Sequence, residues 1–170
     1  FDVLLNRILK LTESEYGFIG EIIEESGSRF VRSRAITNIA WDDASRAEFD
    51  LRKHIGLEFR NPHSLIGRVA ATGAMLISND PANDSRRAGV PPGHPPLTAF
   101  AGLPIVRGGV LVGMLGLANR PNGFSDGLAM MLEPLLSVCA GVLESYDNLK
   151  RRKEAEERLR RSEERSRAIA

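Results

Sequence analysis

The sequence predicts an α+β domain with a mostly antiparallel β-sheet flanked by helices, and three observations support this fold class. Segments with helical and strand periodicity follow one another irregularly, in the order helix, hairpin, helix, strand, helix, strand, loop, hairpin, helix. Two pairs of consecutive strand-like segments are joined by short turns containing Gly, which is typical of antiparallel hairpins. The strict strand–helix alternation and the phosphate-binding glycines of a parallel α/β fold do not occur in the sequence.

The N-terminal part is predicted to contain a helix, a β-hairpin and a second helix. Asp2 is a suitable N-cap for the first helix, in which apolar residues recur at helical spacing. Strands are predicted at residues 16–25 and 30–41, because the turn residues Ser26-Gly27-Ser28 separate two strand-like segments. Residues 42–56 fit a helix with one shared face, formed by Ala44, Ala47, Leu51 and Ile55.

The rest of the chain is predicted to add four strands and two helices. A helix at residues 61–73 has Asn61 as its N-cap, Pro62 at its first position and Gly73 at its end. A second hairpin turns through Arg107-Gly108-Gly109, and a long helix starts at Ser125 or Asp126. The strands are expected at residues 57–60, 75–79, 98–106 and 109–119.

Composition indicates an ordinary globular domain without a strongly charged partner. The chain has 170 residues, of which 42% are hydrophobic and 26% are charged, and its net charge is +1. We predict a globular domain at residues 1–146 and a charged helical linker, the start of a coiled coil, at residues 147–170. The linker has a net charge of +3, but interleaved Glu residues argue against binding of nucleic acid or of a membrane.

The C-terminal helix carries two series of residues at 3–4 spacing. The first consists of Leu128, Met131, Leu135, Val138, Val142, Ser145 and Leu149, and the second starts at Ala155. The step of six from Leu149 to Ala155 is a stammer, at which the phase of the seam shifts. We interpret this segment as a dimerising output helix; the alternative is a solvated helical linker.

No recognised catalytic motif occurs in the sequence, so the chain is not expected to be an enzyme. Its histidines, His54, His63 and His94, lie on separate predicted elements, and no metal site is expected. Cys139, the single cysteine, lies in an apolar helical stretch, which predicts a buried and unreactive thiol in a reducing compartment.

The chain is expected to be a cytoplasmic piece of a longer protein. It begins with Phe rather than Met and shows no signal-peptide pattern. The apolar run from Leu128 to Leu143 includes Glu133 and Pro134 and is shorter than an uninterrupted membrane span, which needs about 20 residues.

The loop at residues 80–97 is the strongest candidate for a functional segment. It exceeds the usual length of loops in compact domains, and its paired prolines, Pro91-Pro92 and Pro95-Pro96, restrict the conformations of its backbone. One interpretation is a lid over a small-molecule pocket. The other is a self-packed cover, in which Asp80 and Asp84 pair with Arg86 or Arg87.

Five segments of the sequence resemble GAF domains, in the order found in that family. They are LTESEYGFIGEI, AITNIAW, LEFRNPHSLIGRVAATGAMLISNDP, GVPPGHPPLTAFAGLPI and LVGMLGLANRPNGFSD. The resemblance covers about residues 3 to 146 and is closest to the GAF domains of bacterial multi-domain sensors. Those proteins also contain PAS modules and histidine kinase (two-component) or diguanylate cyclase (GGDEF) output domains.

The resemblance implies a GAF-like sheet with both terminal helices on one face and a ligand-sized pocket on the other. Some GAF domains bind cyclic nucleotides, bilins, haem or amino-acid-like molecules, and others only dimerise. The pocket is expected to be lined by aromatic, basic and acidic residues together with one histidine. These candidates are Trp41, Phe59, Arg60, Asp80, Arg86, Arg87, His94 and Phe100.

Departures from the family patterns narrow the choice of ligand. Cys139 is in the last helix, so covalent bilin is not expected, and one cysteine is too few for the reduction of methionine sulfoxide. Haem is not expected either, since His94 is the one histidine near the inferred pocket. Asn119-Arg120 and Phe124 resemble the cyclic-nucleotide pattern, but its acidic end is replaced by Gly127-Leu128. The cofactor therefore stays unknown.

The resulting hypothesis is a non-catalytic sensory domain of a bacterial signal-transduction protein. It would bind a small molecule, or receive a conformational signal, and relay it through its C-terminal helix to an output domain in the same chain. A homodimer through the terminal helices is expected. The alternative is a ligand-free dimerisation module of the same multi-domain protein.

Overall fold

The computed structural model describes residues 1–37, 43–52, 54–90 and 94–169. In this part of the chain, six antiparallel strands form one sheet in the order β3-β2-β1-β6-β5-β4. The strands are β1 (Tyr16–Glu25), β2 (Ser28–Ile36), β3 (Glu58–Phe59), β4 (Leu76–Ser78), β5 (Phe100–Arg107) and β6 (Val110–Ala118). The helices are α1 (Asp2–Thr12), α2 (Asp43–Arg52), α3 (Leu65–Thr72) and α4 (Leu128–Ile169). The predicted fold class and both predicted hairpins are confirmed.

The two faces of the sheet carry separate apolar clusters. On one face, α4 packs through Leu132, Cys139 and Leu143 against β5 and β6, and α1 packs through Ile8 against β1 and β2. On the other face, α3 packs through Leu65 and Val69 against a smaller cluster. Since side chains alternate along a strand, each central strand contributes to both clusters.

The boundaries of three predicted helices need correction. Phe1 is the N-cap residue of α1, and Asp2 is the first helical residue without a capping side-chain hydrogen bond. The helix α3 begins at Leu65, because Ser64 provides the cap and its Oγ accepts the Gly67 N–H at 3.0 Å. Asn61 instead accepts the N–H of His63 within the preceding turn. The long helix begins at Leu128, a few residues later than predicted.

Two other expectations are modified in the described residues. The second strand, predicted to reach residue 41, is described only as far as Ile36. The helix predicted at residues 42–56 is described as Asp43–Arg52, and its predicted apolar face is exposed, with Leu51 at 75% and Ile55, beyond the helix, at 69% of their full accessibility. A different side of this helix is partly covered, where Phe49 is half-buried.

The helix α4 has 42 residues and is therefore about 63 Å long. By length and composition it could cross a membrane, contrary to the expectation from its apolar run alone. The same properties occur in core helices, and Leu132, Cys139 and Leu143 of α4 are buried against the sheet. Its residues from 148 onward are exposed, so the second half extends beyond the domain.

Candidate functional site

A cavity of about 810 Å³ lies on the sheet face opposite α1 and α4. Its walls come from β1, β2, β6, α2, the first turn of α3 and the long loop before β5. Drug-sized ligands occupy cavities of about 300–1,000 Å³, so this volume fits a small organic molecule. The cavity lies on the side of the sheet where the resemblance implied a pocket.

The floor and walls of the cavity are mainly apolar and aromatic. The Phe18 and Phe59 rings are stacked, with centroids 4.9 Å apart and an interplanar angle of 26°. Gly116 on β6 permits this arrangement, because a Cβ at that position would overlap the Phe18 ring. Other apolar residues of the lining are Ile36, Phe49, Leu65, Ile66, Leu97 and Phe100. The wall can therefore bind a flat apolar group by burial of surface.

An ion-pair network occupies the edge of the cavity beside β3. Glu58 accepts hydrogen bonds from Arg32 at 2.7 Å and from Arg60 at 2.6 Å, and these hydrogen bonds lower the pKa of the Glu58 carboxyl. Arg60 also donates to Glu25 at 3.0 Å and lies over the Phe30 ring, 3.8 Å from its centroid. The network holds the guanidinium of Arg60 in place and compensates its charge.

The loop between β4 and β5 is held down by a second charged pair. Arg86 binds both carboxylate oxygens of Asp84, at 2.9 and 2.8 Å, and also donates to the carbonyl of Ile77. Arg68 of α3 donates in turn to the carbonyl of Arg86 at 2.8 Å. The hydrogen bonds from Arg86, together with one from Ser78, hold the pKa of Asp84 well below its ordinary value. The self-packed pairing considered from the sequence thus forms between Asp84 and Arg86.

His94 lies on the other arm of this loop. Its Nδ1 is 2.7 Å from the carbonyl oxygen of Pro95, and this nitrogen carries the proton because a carbonyl only accepts. The imidazole meets the Tyr16 ring edge to face at 6.0 Å. Burial, with a smaller contribution from Glu15, raises the pKa of Tyr16 to about 12. His94 and Tyr16 together join the loop to the first strand at the cavity wall.

Five of the candidate pocket residues line this cavity, and two others lie beside it. The five are Phe59, Arg60, Arg87, His94 and Phe100. Asp80 and Arg86 are absent from the described lining, because the Asp80 carboxylate accepts from Asn83 and the Arg86 guanidinium binds Asp84. Trp41 lies outside the described residues. Sequence reasoning did not select Phe18 or Phe49, although strand alternation groups Phe18 with Gly20 and Ile22 on one face of the first strand.

The residues that resemble a cyclic-nucleotide pattern have structural partners instead. The Asn119 side chain donates to Glu15 and to the Pro96 carbonyl and accepts the N–H of Thr98, each at 2.9 Å. Both Phe124 backbone groups are bound by the Asn79 side chain. Asn119 borders a second, more polar cleft of about 630 Å³, but its hydrogen-bonding groups are already engaged.

The described residues contain no group of three or more side chains suited to holding a metal ion. His54 and His63 are exposed, as expected for surface histidines. Cys139 is buried, and desolvation raises the pKa of its thiol to about 11. The predicted burial of the thiol is confirmed, and its low reactivity stays a prediction.

Comparison with known proteins gives a single family. The family model described as GAF domain (GAF_2) matches residues 1–144 of the chain. No curated protein matches the sequence.

Solved structures with a similar fold come from several kinds of protein. The GAF domain of a phosphoenolpyruvate-protein phosphotransferase from Acinetobacter is 17% identical, with a TM-score of 0.65 over 87% of this chain and 82% of that chain. The GAF domain of a two-component sensor histidine kinase from Bacillus halodurans is 15% identical, with a TM-score of 0.56 over 87% and 96%. The type II free methionine-R-sulfoxide reductase from Thermoplasma acidophilum is 12% identical, with a TM-score of 0.60 over 85% and 90%. At these identities the similarity shows the fold alone.

Proposed function

The chain belongs to the GAF domain family, and we propose that it is a non-catalytic sensory module that binds a small molecule in the 810 Å³ cavity and signals through α4. GAF domains are sensory and regulatory modules of signalling proteins. The observation that carries the proposal is the position of the cavity. It lies across the sheet from α4, and β6, which forms part of its wall, also packs against that helix.

The relay would run through β1 and β2. Phe18 and Ile36 face the cavity from these strands, whereas Glu21 and Arg34 of the same strands form an ion pair on the helix side. The Arg34 guanidinium lies over the ring of Tyr146 in α4, 4.4 Å from its centroid. A ligand that bound better to one position of these strands would therefore favour one position of α4.

A second contact links α4 to the opposite part of the sheet. Arg107 at the end of β5 pairs with Glu144 of α4 at 2.8 Å. The two contacts, through Tyr146 and through Glu144, hold the same turn of the helix from different sides. A small shift of the strands would rotate or translate α4, and a coupling free energy of about 1–3 kcal/mol is typical of such regulation.

The module is proposed to act as a homodimer through its terminal helices. Four apolar residues of the predicted α4 seam are exposed: Met131, Val138, Val142 and Leu149. Leu128, also assigned to that seam, is instead buried in the domain core. Val3 and Leu11 of α1 are exposed as well. A second copy would cover this surface and place two α4 helices side by side, leading to a cytoplasmic histidine kinase or diguanylate cyclase domain in the same chain.

The alternative is a dimerisation module without a ligand. The observation that favours it is the pairing of Arg86 with Asp84, by which the loop packs on itself next to the cavity. The two functions differ in whether any compound binds the cavity, so a binding experiment separates them.

A thermal-shift screen of a metabolite library against the purified chain tests the proposed function. At least one compound should raise the melting temperature, because a ligand that binds only the native state stabilises it. Ala88, a small exposed residue of the lining, provides a blocking variant, Ala88→Trp. This variant should lose the shift, whereas Ala47→Trp, on the exposed face of α2 and outside the lining, should keep it. The absence of any shift, together with no bound compound in native mass spectrometry, would favour the ligand-free module.

A further inference from the structure

We propose that the ligand of this cavity has a flat apolar body and one anionic group, which Arg87 binds at the mouth. This inference rests on the proposed function, because it specifies the chemical class of the molecule that the cavity takes. Three observations support it: the apolar wall, the internal pairing of the other charged lining residues, and the uncommitted guanidinium of Arg87.

The apolar wall favours a ligand whose buried part makes few hydrogen bonds. Among the described residues, the floor is formed by the stacked Phe18 and Phe59 rings and is extended by Leu97 and Phe100. A sugar or another polyhydroxylated molecule would lose its hydrogen bonds to water on entering such a site and would gain few in return. An aromatic or other flat hydrocarbon group would gain contact with the rings without this loss.

The charges beside β3 are already compensated within the protein. Glu58 is bound by two guanidinium groups, and Arg60 is bound by the carboxylates of Glu58 and Glu25. A ligand that recruited Arg60 would have to compete with both of these carboxylates. This edge of the cavity therefore contributes no free charge to recognition.

Arg87 is different from its neighbours. Its backbone N–H donates to the carbonyl of Asp84 at 3.1 Å, so its main chain is fixed at the cavity wall. In the described part of the chain its guanidinium has no ion pair or hydrogen bond, and the residue is exposed. Both oxygens of the nearby Asp84 carboxylate are occupied by Arg86. A cation is thus held next to an apolar cavity, with its side chain available to an anion.

Arginine suits this role because its planar guanidinium offers paired N–H donors to a carboxylate, sulfonate or phosphate. Since the mouth is exposed to solvent, the contribution of the pair to binding is expected to be modest, about fivefold in affinity. The apolar wall would supply most of the affinity, and Arg87 would select anionic over neutral molecules of the same shape.

Two fluorescent probes with the same aromatic body test this selection. 8-Anilinonaphthalene-1-sulfonate carries a sulfonate, and N-phenyl-1-naphthylamine is its neutral counterpart. Both are titrated into the purified chain and into three variants: Arg87→Gln, Ala88→Trp and Arg7→Gln. Arg7 is an exposed cation on α1, across the sheet from the cavity, so its variant controls for the loss of one positive charge.

The proposal expects the sulfonate probe to bind more tightly than the neutral one to the unmodified chain. Arg87→Gln should weaken the sulfonate probe about fivefold and leave the neutral probe unchanged, while Arg7→Gln should change neither. Arg87→Lys, which keeps the charge, should recover part of the loss. Equal affinities for the two probes, or an equal loss of both in Arg87→Gln, would overturn the role of the anion. If Ala88→Trp still binds both probes with unchanged affinity, the probes bind outside the cavity. That result would count against a ligand in this cavity.

Discussion

The guanidinium of Arg34 lies over the aromatic ring of Tyr146, with its central carbon 4.4 Å from the ring centroid. Arg34 is the extra residue of a bulge in β2, since Ile19 pairs with Ala35 and the next residue, Gly20, pairs with Ser33. Bulges commonly redirect a side chain, and here the side chain meets α4. One irregular residue therefore joins the strands of the cavity wall to the long helix.

The first prediction concerns this contact. The side chains of Arg34 and its ion-pair partner Glu21 are only 9% and 13% exposed, so Arg34→Met would leave a poorly solvated carboxylate whose remaining cation, Arg32, is 4.0 Å away. We expect a loss of about 2–4 kcal/mol in the free energy of unfolding, measured by urea denaturation. A double-mutant cycle with Tyr146→Leu should give a coupling of about 1 kcal/mol between Arg34 and the ring.

The matched control is the other ion pair between the sheet and α4. Arg107 and Glu144 are each about half exposed, at 49% and 47%, so Arg107→Gln should cost less than about 1 kcal/mol. If Arg34→Met and Arg107→Gln lower the free energy of unfolding equally, burial does not make the Arg34–Glu21 pair the stronger one. A coupling free energy near zero between Arg34 and Tyr146 would show that the cation–π contact does not contribute to the relay.

The second prediction is a pH dependence that comes from Asp84. Its hydrogen bonds to Arg86 lower its pKa in the folded state, so its carboxylate stabilises the fold above the unfolded-state pKa of about 3.9. This stabilisation is lost as the pH falls further toward the folded-state pKa. Melting temperatures of the unmodified chain and of Asp84→Asn should therefore differ most above pH 5 and converge between about pH 4 and pH 2. A difference that stays constant over this range would contradict the assignment.

How far the sequence predicts the fold depends on the kind of local signal. Turn chemistry located both hairpins, and Gly108 and Gly109 do adopt the positive φ that their turn requires. The start of α3 was misplaced because Asn61 and Ser64 are both good capping residues, and only the packed turn shows which one accepts the Gly67 N–H. Gly67 itself permits this turn, since a Cβ there would overlap the backbone of Asn61.

The cavity was harder to predict residue by residue. The alternation of β1 places Phe18 on an inward face, but alternation does not say whether that face borders a packed core or an empty volume. Asp80 and Arg86 were selected because polar residues in a long loop suggest ligand contacts. Instead, the Asp80 carboxylate accepts a hydrogen bond from Asn83, and the Arg86 guanidinium binds Asp84. Whether a polar side chain binds a neighbour in the protein or a ligand depends on distances in the folded structure, which the sequence does not give.

The third prediction concerns Cys139. Because the thiol is buried and its pKa is raised to about 11, it should react with a disulfide reagent such as 5,5′-dithiobis(2-nitrobenzoate) only when the chain unfolds. The labelling rate in native buffer should be at least about 100-fold below the rate in denaturant. Met130→Cys in a Cys139→Ala background, at a position of the same helix that is 81% exposed and lies beside the seam, should react quickly. Rapid native labelling of Cys139 would show that α4 separates from the sheet.

The fourth prediction tests the homodimer through the exposed seam of α4. Val138 and Val142 are one helical turn apart and are 50% and 37% exposed, so Val138→Glu with Val142→Glu would place two carboxylates in the proposed interface. The unmodified chain should sediment as a dimer, and this variant as a monomer of 18.7 kDa with an unchanged melting midpoint at low concentration. Met130→Glu is the control, because Met130 is 81% exposed but lies beside the seam. If both variants dissociate equally, charge repulsion rather than the seam explains the effect. If neither variant dissociates, the dimer must use another surface of the domain.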